Sequence, residues 1–334
     1  MVAVRVLITG GAGYIGSTIA SACLDAGHEV VIVDDFSVGR REFVEGRTAY
    51  EGDIADAALM DRVFTDQTID VVVHCAAAII VPESVARPLF YYENNVGKTL
   101  DLLASMDRHG VHRIVFSSSA SLYGDPVDGQ FAVTEESPVA PGSPYARTKL
   151  VMEMALSDVA HGSDLRAIAL RYFNPIGADP TMRTGQQRPH PSHVLGKMLD
   201  AWLEGGTFTI TGCDWDTPDG TGIRDYLHIW DLAKAHVAAI ERFDTVTASE
   251  PYRVINIGRG EGVSVRELAQ AFQTATGEPL KIAEGPARPG DVLGAYAIVD
   301  TAHSELGWTA ELTVADGIRD AIAWIPKRKE LLGY

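Results

Sequence analysis

The chain has 334 residues, of which 46% are hydrophobic, and its formal net charge at pH 7 is −17. This length suffices for one large domain or two ordinary ones with a substantial buried core. The negative charge repels phosphate backbones and argues against nucleic acid as a partner. Cys23, Cys75 and Cys213 match no zinc spacing, so no metal site is expected. No apolar run reaches the length of a membrane span, and we expect a soluble cytoplasmic protein.

Near-continuous apolar runs alternate with stretches of helical length through the first half of the chain. The runs have the composition of strands that are buried on both faces of a parallel sheet. In chain order the predicted strands are 4–9, 29–33, 70–75, 113–117 and 166–171. Predicted helices lie at 17–26 and 89–109, and each ends before a glycine. This alternation predicts an α/β fold with a doubly wound, parallel Rossmann sheet.

The second half of the chain has a different composition. After Arg171 come long stretches rich in proline, glycine and polar residues, which are typical of loops in a smaller, irregular domain. A predicted helix at 231–243 and a predicted strand at 252–258 then return to the main sheet. We therefore expect an interleaved C-terminal domain and not a single cut between two domains.

A glycine-rich turn, TGGAGYIG, joins the first predicted strand to the first helix. Gly11, Gly13 and Gly16 fit the dinucleotide-binding fingerprint, and Gly10, Gly13 and Gly16 fit its variant. These glycines permit a tight turn and the close approach of a pyrophosphate to a helix N-terminus. Asp34 ends the second strand, where its carboxylate can bind a ribose diol and would repel a 2′-phosphate. The sequence therefore predicts NAD as the cofactor.

A Gly-Asp-Ile segment follows the likely position of the third strand. At this edge of the sheet an adenine ring could rest on Ile54 and hydrogen-bond with Asp53.

Tyr145 lies four residues before Lys149 in the segment SPYARTK, so both share one face of a predicted helix. An ammonium near a phenol favours the phenolate, and the positive nicotinamide ring of NAD⁺ acts in the same direction. We therefore expect the pKa of Tyr145 to be lowered, which would make the phenol a usable general base.

A serine-rich segment, FSSSASLYG, follows the fifth predicted strand. It lies at the carboxyl edge of the sheet, where ligands bind in such folds. Ser119, with Ser121 as the second choice, can bond the same substrate oxygen as Tyr145. Ser117 and Ser118 fit equally well a serine-rich turn that caps the strand.

Further segments carry a resemblance to a known family. They are EGDI, PESVARPLFYYENNVGKT, LRYFNPIGA, DGTGIRDYLHIWDLA and RPGD, together with the glycine, serine and tyrosine segments above. With these motifs, from about residue 5 to about residue 310, the chain resembles the extended short-chain dehydrogenase/reductase family and, within it, the UDP-glucose (UDP-galactose) 4-epimerases. The resemblance implies a tightly held NAD⁺, catalysis by Ser119, Tyr145 and Lys149, and a homodimer built from helices 89–109 and 144–161.

The resemblance also implies two sets of binding residues. The cofactor set is Gly10, Gly13, Tyr14, Ile15, Gly16, Asp34, Asp53, Ile54, Ala76, Asn94, Ser117, Tyr145, Lys149 and Phe173. The substrate set is Ser119, Asn174, Arg183, Arg188, His193, Val194, Thr209, Thr211, Arg224, Arg288 and Asp291. The NAD-binding domain would comprise 1–173 plus about 229–258, and the nucleotide-sugar domain about 174–228 plus 259–334.

The reaction that the resemblance implies is inversion at C4 of a UDP-sugar, UDP-glucose/UDP-galactose above all, through a transient 4-keto sugar. Two positions depart from the family pattern. Ile79 stands where the family usually has a lysine near the cofactor. Ala295 stands where a bulky residue often closes the sugar pocket, which suggests a roomier pocket.

Several other functions stay open. A UDP-glucuronate/UDP-galacturonate pair would need Arg183 or Arg188 to meet the sugar carboxylate. A 4,6-dehydratase would need an acidic pair where this chain has Ala120 and Ser121. A non-epimerising nucleotide-sugar dehydrogenase would release NADH, and an NAD-sensing scaffold would not need Ser119, Tyr145 and Lys149 together.

Overall fold

The computed structural model of the protein describes residues 3–125, 129–287 and 291–334. Its strands are β1 (Arg5–Thr9), β2 (Glu29–Asp34), β3 (Thr48–Glu51), β4 (Val71–His74), β5 (Arg113–Ser117), β6 (Ala132–Val133), β7 (Arg166–Tyr172), β8 (Asn174–Ile176), β9 (Phe208–Thr211), β10 (Ile223–Arg224), β11 (Tyr226–His228), β12 (Tyr252–Ile257), β13 (Val263–Ser264), β14 (Ile282–Gly285) and β15 (Gly294–Ala297). Its helices are α1 (Tyr14–Asp25), α2 (Ala57–Asp66), α3 (Val81–Ala86), α4 (Pro88–Tyr92), α5 (Lys98–Arg108), α6 (Pro144–Gly162), α7 (Val194–Leu203), α8 (Ile229–Glu241), α9 (Phe243–Val246), α10 (Val265–Thr276) and α11 (Val314–Leu332).

The main sheet runs in the order β3-β2-β1-β4-β5-β7-β12 within the described residues. Every neighbouring pair in it is parallel. The strand order reverses between β1 and β4, and open sheets of this kind bind ligands at such a switch point, beyond the carboxyl ends of the strands. The predicted doubly wound, parallel Rossmann sheet is confirmed.

Burial on both faces explains why the strands read as continuous apolar runs. In β1, Val6 and Ile8 belong to the core between the sheet and helices α1 and α8. Leu7, between them, faces the opposite core under α2, α5 and α6. All three side chains are fully buried, so β1 lacks the alternation of polar and apolar residues that is typical of a strand with one exposed face.

The chain leaves the main sheet after β7 and comes back to it with β12, which pairs with β7 in parallel. Apart from β6, which precedes β7, the strands of these segments form three small sheets within the described residues, in the orders β13-β10-β15-β6, β11-β8 and β14-β9. A separate apolar core joins α7, α10 and α11 there, with Leu195, Phe272 and Ile318 among its buried members. The predicted return of strand 252–258 to the main sheet is therefore confirmed.

A buried aspartate connects several of these segments. Asp225, between β10 and β11, accepts backbone hydrogen bonds from Arg259, Gly260 and Ala297 at 2.7, 3.0 and 3.2 Å. Burial raises the pKa of Asp225 to about 6, and these N–H donors limit the rise.

The predicted helix 231–243 lies two residues earlier, as α8, and two other helices differ more from the prediction. Helix α1 begins at Tyr14 and not at the predicted Ser17, and Gly13 is the residue before its first turn. The predicted helix 89–109 is interrupted by a π-helical turn, Glu93–Gly97, where the Asn95 side chain bonds the backbone of Ala78 and the hydroxyl of Thr148. None of the described helices combines the length and the apolar character that crossing a membrane requires.

Candidate active site

The glycine turn packs too tightly for larger residues. Gly10 has a φ of +70°, and a Cβ there would lie 2.8 Å from the backbone nitrogen of Ala76. A Cβ on Gly16 would collide with the carbonyl oxygen of Gly10. Gly13 precedes α1 without a side-chain cap, so the first-turn amides around Tyr14 and Ile15 are placed to face an anion.

Asp34 lies at the end of β2, directly beside this turn. One carboxylate oxygen accepts from the backbone nitrogen of Ala12 at 2.9 Å, and the other accepts from that of Phe36 at 2.8 Å. Burial raises the pKa of Asp34, and the two N–H donors oppose the rise. Each oxygen keeps a second lone pair, so the fixed carboxylate can still accept from a ribose diol.

The residues predicted to meet the adenine lie after β3. Ile54 is buried, and Asp53 accepts from the ammonium of Lys98 at 2.5 Å. Lys98 opens α5 and had not been predicted as a neighbour of this site. Asn94 is half-buried in the π-helical turn, where its amide donates to the side chain of Asn95 at 3.1 Å.

Ser119, Ser121 and Tyr145 lie close together at the end of β5. The two serine hydroxyls lie 2.9 Å apart, and the Ser119 side chain lies near enough to the phenol of Tyr145 to affect its pKa. Tyr145 occupies the first turn of α6 and is buried. Burial raises its pKa, and the nearby Ser119 side chain opposes that rise. The expected lowering of the Tyr145 pKa is therefore wrong for the chain by itself, because burial of the phenol outweighs the effect of Ser119.

Lys149 lies one turn further along α6 and points at the end of β5. Its ammonium donates to the carbonyl of Ser117 at 2.8 Å and lies 4.7 Å from the ring centroid of Phe116. Burial lowers the pKa of Lys149 to about 8. The Ser117 hydroxyl faces the interior, 3.2 Å from both the Cys75 sulfur and His236 Nε2. Ser117 thus presents its carbonyl to Lys149 and keeps its side chain out of the cleft.

A buried charged group lies behind these residues, and the sequence reasoning missed it. Glu153 follows Lys149 by one more turn of α6 and forms an ion pair with Arg171 of β7 at 2.7 Å. The hydroxyl of Ser118 donates to the same carboxylate at 2.5 Å. A signal existed: Tyr145, Lys149 and Glu153 recur every four residues and so share one helix face.

An aromatic pair lies close to the serines. Phe173 stacks on Tyr123 with ring centroids 6.4 Å apart, and Ala120 and Ala295 pack against the same cluster. Ala295 therefore packs on the same small cluster as Ala120 of the serine segment, and the roomier pocket stays a prediction. Ile79, in the position of the family lysine, is 54% exposed.

Among the described residues, the hydrogen-bond partners of the Arg224 guanidinium are uncharged. This group donates to the backbone carbonyls of Ile223, Leu293 and Val292 at 2.7, 3.1 and 3.0 Å. These carbonyls orient the fork without neutralising it, so its charge is available to an anion. Asn174 is exposed at the start of β8. Asp291 is half-buried, and Arg288 lies outside the described residues.

The remaining predicted substrate residues lie on α7 and β9. His193 caps α7, where its Nδ1 accepts from the backbone of Gly196 at 3.2 Å, and Val194 opens the helix. Burial lowers the pKa of His193 to about 4, so its ring is neutral at pH 7. Thr209 is exposed and Thr211 half-buried on β9.

The two loop arginines differ from each other. Arg183 is bound by two carboxylates, Asp25 at 2.7 Å and Asp179 at 2.5 Å, and its guanidinium lies over the ring of Trp230. Its charge is thus already compensated within the protein. Within the part of the chain that the structure describes, the backbone of Arg188 bonds the side chains of Gln186 and Arg328.

Comparisons with known proteins agree with this geometry. The model of the NAD dependent epimerase/dehydratase family matches residues 6–258. A UDP-glucose 4-epimerase of Azospirillum brasilense is 42% identical over 332 residues, which cover 98% of this chain and 94% of that protein. The structure of UDP-glucose 4-epimerase from Bifidobacterium longum in complex with NAD⁺ and UDP has a TM-score of 0.90 and 40% identity, covering 97% of this chain and 98% of its own.

A second structure, UDP-glucose 4-epimerase from Stenotrophomonas maltophila with bound NAD and formylated UDP-arabinopyranose, has a TM-score of 0.91 and 36% identity, covering 98% of this chain and 99% of its own. These matches confirm the resemblance that the motifs carry. Because the family model spans most of the chain and the relatives align over nearly all of it, this protein belongs to the NAD dependent epimerase/dehydratase family.

Proposed function

We propose that this protein is an NAD-dependent 4-epimerase of UDP-sugars, with UDP-glucose and UDP-galactose as its substrate pair. The observation that carries the proposal is the convergence of Ser119, Tyr145 and Lys149 at the carboxyl end of β5. The names of the relatives, all aligned over nearly the whole chain, support the same substrate pair.

NAD⁺ fits the residues at the switch point. The close-packed glycine turn leaves space for a pyrophosphate at the N-terminus of α1, and Asp34 can accept from a ribose diol. Asp53, Ile54, Ala76, Asn94 and Phe173 complete the proposed cofactor site. The nicotinamide supplies a reversible hydride acceptor for C4 of the sugar.

The side chains of this protein would handle the proton and the geometry. Tyr145 takes the proton of the sugar 4-hydroxyl as C4 is oxidised, and Ser119 bonds the same oxygen and aligns it. The positive charge of Lys149 stabilises the phenolate that forms. The 4-keto sugar then turns to present its other face, C4 is reduced again, and Tyr145 returns the proton. The product differs from the substrate only in the configuration at C4.

The nucleotide part of the substrate would supply binding energy remote from the sugar. We propose that the pyrophosphate binds Arg224, whose hydrogen-bond partners among the described residues are backbone carbonyls, with Asn174 nearby because it pairs with Tyr226, two residues after Arg224. Remote anchoring lets the sugar be held loosely enough to turn. For the uronate alternative, Arg188 remains the candidate for the carboxylate, because Arg183 already binds Asp25 and Asp179.

We also propose that the enzyme is a cytoplasmic homodimer. Helices α4 to α6 expose apolar side chains that a monomer would leave in water, and Leu89 (70% exposed) and Met154 (59%) are the most exposed of them. The others are Phe90, Tyr92, Leu100, Val151 and Val159. A second copy that packs its own α4–α6 face against this surface would bury it. The division into an NAD-binding part (1–173 plus about 229–258) and a nucleotide-sugar part stays a prediction.

One experiment tests the function and its substrate. The purified protein is incubated separately with UDP-glucose, UDP-N-acetylglucosamine and UDP-glucuronate, and the C4 epimers are separated by chromatography. We expect UDP-galactose from UDP-glucose without net NADH. Stoichiometric NADH would indicate a dehydrogenase, and no conversion at all would indicate an NAD-binding scaffold.

A variant tests the assigned base. Tyr145→Phe removes the phenolic oxygen and should lower kcat by about 10²- to 10⁴-fold while NAD stays bound. Near-normal turnover in this variant would refute the role of Tyr145.

A further inference from the structure

We propose that Ser118 and Glu153 are positioning residues that hold the Ser119 hydroxyl against Tyr145. The inference rests on the proposed function, since it concerns the geometry of the same reacting group. Neither residue needs to touch the substrate or NAD. Their proposed effect is to fix the end of β5 in register with α6.

Three consecutive serines at the end of β5 have three different environments. The Ser117 hydroxyl points into the core toward His236, and its carbonyl accepts from Lys149. The Ser118 hydroxyl donates to Glu153 at 2.5 Å. The Ser119 hydroxyl bonds that of Ser121 and lies close to the phenol of Tyr145 in the cleft.

One face of α6 contacts all three serines. Tyr145, Lys149 and Glu153 are spaced by four, so their side chains lie along one line of the helix surface. They contact Ser119, the carbonyl of Ser117 and the hydroxyl of Ser118, respectively. Two of these three contacts are made at Ser117 and Ser118, directly before Ser119 in the chain. A shift of β5 along α6 that moved Ser119 away from Tyr145 would therefore also have to break both of them.

Glu153 is itself held rigidly. Arg171 donates to its two carboxylate oxygens from Nε at 3.0 and 3.2 Å and from Nη2 at 2.7 Å. Both side chains are almost completely buried, at 4% and 7% exposure. Arg171 also donates from Nη1 to the Tyr123 hydroxyl at 3.1 Å. The planar guanidinium of Arg171 restrains the buried carboxylate of Glu153, so Glu153 is a fixed hydrogen-bond partner for the serine segment.

The Ser118 hydroxyl can be removed without breaking the ion pair between Glu153 and Arg171. In Ser118→Ala the carboxylate of Glu153 keeps all three contacts with Arg171, so no charge becomes unpaired. The backbone of Ser118 keeps its bond to Leu170 in β7. The substitution therefore removes one constraint on the serine segment and little else.

The test is a double-mutant cycle on kcat. We expect Ser118→Ala to lower kcat by about tenfold or more, since a small misplacement of a reacting group has effects of that size. KM for the UDP-sugar and the amount of NAD that co-purifies should stay within about twofold of the wild-type values, because the contacts for binding lie elsewhere. In a Ser119→Ala background, the further change Ser118→Ala should alter the residual kcat by less than about twofold.

Ser21→Ala provides a matched control. Ser21 is also fully buried, on the far turn of α1, and its hydroxyl donates to Ser17 and accepts from Arg47. It should lower the melting temperature by about as much as Ser118→Ala, a few degrees at most, with kcat unchanged. Equal losses of kcat by Ser118→Ala in both backgrounds, or a kcat near that of the wild type, would overturn the inference.

A crystallographic comparison separates this inference from the proposed function. In crystals of Ser118→Ala with NAD, the Ser119 hydroxyl should have left Tyr145 or become disordered, whereas Ser21→Ala should retain the contact. An unchanged Ser119–Tyr145 contact would refute the positioning role even if the wild-type protein proved to have no epimerase activity. A displaced Ser119 would support it in the same case.

Discussion

Arg171→Met should be among the most destabilising single substitutions in the main sheet. The change leaves Glu153 buried at 4% exposure with the hydroxyl of Ser118 still attached but without its ion-pair partner. Removing one partner of a buried pair costs about 3–5 kcal/mol, because the remaining charge stays in the interior without compensation. Methionine replaces most of the aliphatic stem, so little of this loss comes from packing. For a chain of this size the melting temperature should fall by roughly 4–7 °C.

The measurement is chemical and thermal unfolding of the wild type and three variants. Arg113→Met is the matched control, since Arg113 of β5 pairs with Asp244 at 2.9 Å but both side chains are largely in solvent. It should cost at most about 1 kcal/mol. Combining Arg171→Met with Glu153→Gln removes the orphaned charge and should recover part of the stability. A single variant no worse than Arg113→Met, or a double variant as unstable as the single one, would refute this reasoning.

Three further predictions concern the cleft and the surface. Burial holds the pKa of Lys149 at about 8, against 10.5 in an unfolded chain, so the folded state gains stability as pH rises between these values. Lys149→Met should abolish turnover, raise the melting temperature at pH 7 and remove that pH dependence, and an unchanged or lower melting temperature would contradict it. Asp34→Ala should lose NAD on gel filtration, whereas the exposed neighbour Asp35 can be changed to alanine without loss. Met154→Glu should yield monomers in sedimentation velocity, and Leu24→Glu, an exposed apolar position on α1, should not.

The central strands could be located from the sequence because their burial leaves a pattern within each short segment. Burial on both faces forces near-continuous apolar runs, and the predicted strand 113–117 coincides with β5. Strand 166–171 extends one residue further, to Tyr172. The predicted start of α1 is three residues late because Gly13, which has no side chain to cap the helix, precedes its first turn.

The reacting residues were also within reach of sequence reasoning, but their environment was not. The four-residue spacing of Tyr145 and Lys149 can be recognised in the sequence. The raised pKa of Tyr145 comes from burial, which depends on the packing of the folded chain. The partner of Lys149 is a backbone carbonyl, which has no sequence signature. Ser118 and Glu153 are separated by 35 positions, and only the packing of α6 on β5 brings them together.

The late return of β12 has a consequence for synthesis of the protein. Until residues 252–257 leave the ribosome, β7 forms the border of the growing sheet, and its outer N–H and C=O groups have no strand to bond. The whole run from β8 to α9 is translated during that interval. A fragment that stops before Tyr252 would contain the glycine turn, Ser119, Tyr145 and Lys149, yet the edge of β7 would be unpaired and could bind strands of other chains. The catalytic residues are thus synthesised well before the strand that protects the sheet from aggregation.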